Sequence, residues 1–152
     1  MTKRIDYAST TEPLQALFRL ERYVRECGLD HGLVRLMKMR ASYINGCAYC
    51  IDMHSKDARA AGETEQRLYG VAVWRETPYF NARERAALAY TEVVTQLSAH
   101  GVSDADVAAV RAHFSEKEVV DLTFVIVAIN SWNRLAVALG ADVGSYKVGQ
   151  HG

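Results

Sequence analysis

The chain has 152 residues, 49% of them hydrophobic, with 18 Lys plus Arg against 18 Asp plus Glu. That length fits one domain with its own core, and that composition excludes a disordered chain. A formal net charge of zero excludes a long-range pull on nucleic acid or an anionic membrane.

The opening MTKRIDYASTTEP is polar and lacks the apolar stretch of a signal peptide. No run of about 18 apolar residues occurs, so no membrane span is expected. The most apolar stretch, Val119 to Ile129, is interrupted by Asp121 and Thr123 and reads as a buried bundle helix. The expected location is cytoplasmic. In a reducing compartment, close cysteines serve metal binding or catalysis more often than structural bridging; of the three here, Cys47 and Cys50 are close and Cys27 is not.

Only Pro13 and Pro78 interrupt the chain, and helical spacing prevails over strand alternation. Seven helices are expected. The first spans about residues 12–27, with Thr11 as N-cap, Pro13 in the first turn, and Leu14, Leu17, Phe18, Leu20 and Val24 on one face. The second, about 31–44, turns Leu33, Leu36, Met37 and Ile44 inward. Asn45-Gly46 stops it, since both residues tolerate left-handed backbone. The third starts near Cys47 and runs to about 61; a short fourth covers about 65–74. Asn81-Ala-Arg-Glu84 is a capping-box pattern that opens a fifth helix to about 98. Ser103-Asp-Ala-Asp106 opens a sixth to about 113. Ser115-Glu-Lys-Glu118 opens the seventh and longest, ending near Gly140, and residues 141–152 read as a loose tail. The fold class is therefore all-α, a single-domain bundle over residues 1–152 without internal repeat or linker.

The stretch that carries chemistry is Asn45-Gly-Cys47-Ala-Tyr-Cys50-Ile-Asp-Met-His54. On a helix, the three-residue spacing of the cysteines and the four-residue spacing of Cys50 and His54 share one face. Unsatisfied N–H groups at a helix start favour thiolate over thiol. An imidazole nearby can take the thiol proton or, once charged, hold the thiolate. The second cysteine can resolve a sulfenic acid or mixed disulfide. Two other readings stay open at this point. Cys47, Cys50 and His54 could be three zinc ligands awaiting a fourth, or two small buried hydrophobes beside a satisfied histidine. Haem attachment is excluded, because Ile51 stands where a histidine is needed. Cys27 reads as core filler. Asn130, Asn133 and Arg134, on the most apolar helix, suit a pocket, a subunit contact or a structural role.

Arg40-Ala-Ser42-Tyr-Ile-Asn45-Gly-Cys47-Ala-Tyr-Cys50-Ile-Asp-Met-His54 resembles the core of the alkylhydroperoxidase D-like branch of the carboxymuconolactone decarboxylase superfamily, the core motif lying at about 31–62. The segments Lys56–Gly62, Asn81–Leu88 and Asn130–Arg134 are similar too. The resemblance implies that Cys47 and Cys50 form a redox disulfide, that His54 relays a proton to or from Cys50, and that the all-α fold assembles as a trimer or hexamer. It implies a peroxidase or disulfide reductase acting on a small peroxide or disulfide with an external thiol reductant, without organic cofactor or metal. Cys50 is the expected attacking thiol. The alternatives are a decarboxylase-like lyase, which does not need the cysteine pair, and a redox-sensing oligomer. The family's relay usually has a glutamate twelve residues before the first cysteine, and here Arg35 stands there. Glu92, ahead of Glu84, is the carboxylate expected to substitute.

Overall fold

The computed structural model describes residues 3–7 and 11–150. Among them the elements run α1 (Thr11–Glu26), α2 (His31–Ile44), α3 (Ala48–Ala60), α4 (Glu65–Gly70), a 3-10 segment (Val71–Glu76), α5 (Ala82–Thr95), α6 (Leu97–His100), α7 (Asp104–Arg111) and α8 (Glu116–Leu139), with no strand. The all-α expectation holds, with eight helices in place of seven. Asn81, Ser103 and Ser115 cap α5, α7 and α8 in reciprocal boxes with Glu84, Asp106 and Glu118. The Thr11 side chain expected to cap α1 lies outside the described residues.

Three expectations are corrected. The fourth helix does not continue to Trp74: it tightens into the 3-10 segment at Val71, and Val73 leaves helical geometry. Gly70 permits the close return of the chain there, since a Cβ on it would sit 3.2 Å from the Tyr79 ring. The fifth helix breaks at Gln96 before α6. The tail is docked: Tyr146 is buried and donates to both Asp57 oxygens at 2.8 and 3.0 Å, while Lys56 Nζ donates to the Tyr146 carbonyl.

α2 is the central element, packed against α3, α5 and α8, and α8 also packs on α1 and α5. One apolar cluster joins α1, α2, α5, α7 and α8 through Val24, Met37, Ala87, Val110, Leu122 and Ile126. A second lies on the other side of α2, where Leu36 and Met39 meet Ala58, Leu68, Trp74 and Leu88. Each fully buried Leu or Met contributes about 1.5–3 kcal/mol through removal from water. By length and composition alone α8 could cross a membrane; in this fold α1, α2, α3, α5 and α7 all pack against it, and it carries the buried Asp121 and Asn133.

The turn from α2 to α3 sets up the site. Gly46 adopts φ +64°, its N–H bonds the Tyr43 carbonyl, and the Cys47 N–H bonds the Ser42 carbonyl. This Schellman pattern closes α2 and delivers Cys47 directly to the start of α3. Only Gly46 takes the left-handed conformation; Asn45 stays helical and keeps its side chain for α8.

Candidate functional site

Cys47 is the N-cap of α3, in extended backbone, and its sulfur accepts the Cys50 backbone N–H at 3.4 Å. The two sulfurs lie 2.7 Å apart, both buried, within a small apolar cluster of Ala41, Ile129, Ala136 and Ala141. An N-cap is ordinarily an oxygen that satisfies orphan N–H groups; a thiolate fills the same position and gains from the same donors.

A polar network from α2 and α8 surrounds the pair. Asn45 Nδ2 donates to Asn130 Oδ1 at 3.0 Å and Asn133 Oδ1 at 2.9 Å. Asn133 Nδ2 donates to Ser42 Oγ at 3.0 Å, and Ser42 Oγ donates to the Lys38 carbonyl at 2.7 Å. With its oxygen held by Asn45 and one amide hydrogen by Ser42, Asn133 has a second hydrogen to offer sulfur, and its amide favours the thiolate at both cysteines. The stripe of α2 behind this network is Arg35, Lys38, Ser42 and Asn45, at the three- and four-residue steps of one helix face. Lys38 is 8% exposed and donates to Glu21 Oε2 of α1 at 2.5 Å.

These surroundings divide the two thiols. Cys47 is lowered from the ordinary thiol range, by the hydrogen bond from Cys50 first, with the backbone N–H of Cys50 and the Asn133 amide adding to it against burial. Cys50 is pushed up, first by its hydrogen bond with Cys47, then by burial. His54 is buried on α3, and burial, with the charges of Lys38 and Arg35, holds it well below the usual histidine value. It is therefore a neutral imidazole at working pH, able to accept a proton but not to hold a thiolate by charge. The N-terminal segment also reaches the site. Its Arg4 and Ile5 N–H groups bond the Leu139 carbonyl at 2.8 and 3.0 Å, and Tyr7 is raised by burial and then by the charges of Cys50 and Cys47.

The structure thus brings Cys47 and Cys50 together at the start of α3, places His54 buried one turn on from Cys50, and gives Glu92 a different task. The buried Glu92 carboxylate accepts from Arg40 Nε at 2.8 Å, from Trp74 Nε1 at 2.7 Å and from Arg75 Nη1, whereas the charges acting on His54 come from Lys38 and Arg35. Glu84 pairs with Arg67 at 2.6 Å and closes the α5 capping box. The sequence reading missed Lys38, Ser42 and Tyr7. The α2 stripe was a signal for the first two; nothing local pointed to Tyr7. Among the described residues no group of three or more His, Cys, Asp or Glu side chains is arranged to hold a metal. Cys27 lies just past the end of α1, its thiol donating to the Val24 carbonyl at 3.2 Å.

Residues 11–93, from α1 through the cysteine pair to α5, match the carboxymuconolactone decarboxylase family. The chain belongs to this family. Among its relatives, YdfG of Bacillus subtilis, an uncharacterized protein, is 39% identical over 95% of this chain and 99% of its own length. The uncharacterized Rv2313c of Mycobacterium tuberculosis is 32% identical over 93% of this chain, which spans 50% of that relative. Among solved structures, ATU0492 of Agrobacterium tumefaciens, a protein of unknown function grouped with the antioxidant defence protein AhpD, superposes with a TM-score of 0.91 at 42% identity, covering 95% of this chain and 100% of its own. A peroxidase-related protein from Ralstonia eutropha, described as an alkylhydroperoxidase AhpD core, gives 0.81 at 25% identity over 91% and 74%. The family fold is therefore AhpD-like. The debrominase Bmp8 shares that fold at 18% identity.

Proposed function

We propose that this family member is an antioxidant dithiol oxidoreductase that reduces small peroxides through Cys47 and Cys50. The observation that carries the reading is the sulfur pair itself: 2.7 Å apart, with Cys47 as the helix cap that backbone and Asn133 donors favour as thiolate. The likeness to AhpD-type structures supports it.

The Cys47 thiolate attacks one oxygen of a hydroperoxide. The O–O bond breaks, Cys47 becomes a sulfenic acid, and the departing alkoxide takes the Cys50 thiol proton to leave as an alcohol. The Cys50 thiolate so formed attacks the sulfenic sulfur, forming the disulfide and displacing hydroxide, which a solvent proton passed through His54 converts to water. An external dithiol returns two electrons and two protons by exchange. This order reverses the expected one, in which Cys50 attacks. The reasons are the lowered Cys47 against the raised Cys50, and the position of Cys47, with Gly46, Tyr49, Ala136, Val137 and Val143, on the wall of a narrow apolar cleft. His54 is the proton carrier, and Glu92 has no part in the chemistry.

The protein acts as a homo-oligomer in a reducing compartment. Support comes from α8, which leaves Val120, Phe124 and Val127 exposed on one face beside Phe18 and Tyr23 of α1.

Peroxide consumption with several dithiol donors tests the reading. The wild type consumes many equivalents, and Cys47→Ser and Cys50→Ser each abolish turnover. A wild type that consumes a single equivalent would make the pair a sensor. Turnover of a lactone substrate by the double serine variant would make the protein a lyase.

A further inference from the structure

Lys38 is an ammonium group placed where a protein of this size rarely keeps one. It is 8% exposed, in the middle of α2, and its partner Glu21 comes from another helix. Burying a charge is costly unless it is paired and hydrogen-bonded, and a scaffold gains nothing here that a leucine would not supply. The position is not random. Lys38 shares one face of α2 with Ser42, one turn on, whose hydroxyl donates to the Lys38 backbone carbonyl and accepts from the Asn133 amide, and its charge acts on both Cys50 and His54.

We infer that the Glu21–Lys38 ion pair sets the charge state of the dithiol site, with Lys38 as a positioning residue that holds the cysteine pair as a monoanion and Glu21 as the group that fixes and limits its field. The inference rests on the dithiol reading above. The groups around the site come from every element packed on it: Lys38 of α2, paired with Glu21 of α1; Arg35, one turn earlier on α2, which acts on His54; His54 and Tyr49 of α3; Tyr7 of the N-terminal segment; and the Asn133 amide of α8. Lys38 and Arg35 are the cations among them, and of the two it is Lys38 whose charge acts on Cys50. A cation there favours thiolate at sulfur and disfavours protonated imidazole. It thus keeps one negative charge on the sulfurs and a neutral acceptor at His54, the two conditions the peroxide step needs.

Thiolate absorbance at 240 nm and alkylation rate, each measured against pH on the reduced full chain, test this without requiring turnover. Lys38→Met should raise the midpoint of the first thiol by about one pH unit, about tenfold less thiolate below the midpoint. Lys38→Arg should restore it. Glu21→Gln keeps an amide oxygen for Lys38 but removes the opposing charge, so it should lower the midpoint. Opposite shifts in the two variants are a signature that general loosening cannot give. A Lys38→Met midpoint equal to that of the wild type, or shifts in the same direction, would overturn the inference. Should Lys38→Met not fold, Glu21→Gln decides alone: a fall supports the inference, and no change or a rise overturns it. Absence of peroxide turnover in a wild type whose midpoint still obeys these shifts would remove the proposed function and leave the charge-setting pair standing.

Discussion

Glu92→Gln separates a scaffold carboxylate from a catalytic one. Glu92 is 8% exposed, and its oxygens hold Arg40, Trp74 and Arg75. The Arg40 side chain is only 18% exposed and also donates to the Ala72 carbonyl at 2.6 Å. Glu92 therefore ties α2 to the 3-10 segment and α5. Arg75, with 54% of its side chain exposed, adds little after solvent screening. Breaking a buried pair costs about 3–5 kcal/mol because a charge is left uncompensated. Glutamine keeps one oxygen acceptor for Trp74 or Arg40, so the expected loss is smaller, about 2–3 kcal/mol. For a domain this size each kcal/mol moves Tm by about 2–4 °C, so a fall of about 5–10 °C is expected. The assay is thermal unfolding by circular dichroism, beside the pH profile of thiol alkylation, which should not change. A variant with wild-type Tm that loses turnover about 10²–10⁴-fold, the range of general acid–base help, would refute the scaffold argument and return Glu92 to the relay.

Asn133→Ala removes the donor to the sulfurs and leaves Asn45 and Ser42 each short of a partner. It should raise the first thiol midpoint and cost about 1–3 kcal/mol in urea unfolding; an unchanged midpoint would show that the amide does not stabilise the thiolate. His54 is lowered on folding, so below its unfolded value of about 6.5 the unfolded chain binds a proton that the folded chain refuses. Stability should fall as pH drops from about 7 to 5, and His54→Gln should flatten that slope in denaturant titrations; an equal slope in the variant would contradict the burial argument. Mild oxidation should join Cys47 to Cys50 and leave Cys27 free to alkylate, read by mass spectrometry; Cys27 in the bridge would refute the pairing. Phe124→Lys, on the exposed α8 face, should yield monomers by light scattering if that face joins subunits, and an unchanged mass would place the contact elsewhere.

Helix starts and the nucleus of the site were legible in the sequence because their physics is local. The boxes at Asn81, Ser103 and Ser115 need a partner three residues on, and the left-handed turn at Gly46 needs only a missing side chain. Cys47, Cys50 and His54 share a face through helical spacing alone, whatever packs around them. The break at Gln96 and the change to 3-10 geometry at Val71 were not legible, since the chain that forces the second one returns at Tyr79 and Phe80. The tertiary structure decided who neighbours whom. Glu92 is as plausible as Glu21 when read along the chain, yet packing of α5 against the 3-10 segment gives Glu92 to Arg40, Arg75 and Trp74, while packing of α1 on α2 gives Glu21 to Lys38. Asn133 meets Ser42 across 91 residues. Which thiol holds the negative charge depends on those distant donors and on burial. Spacing along one helix could name the two sulfurs, but it could not rank them.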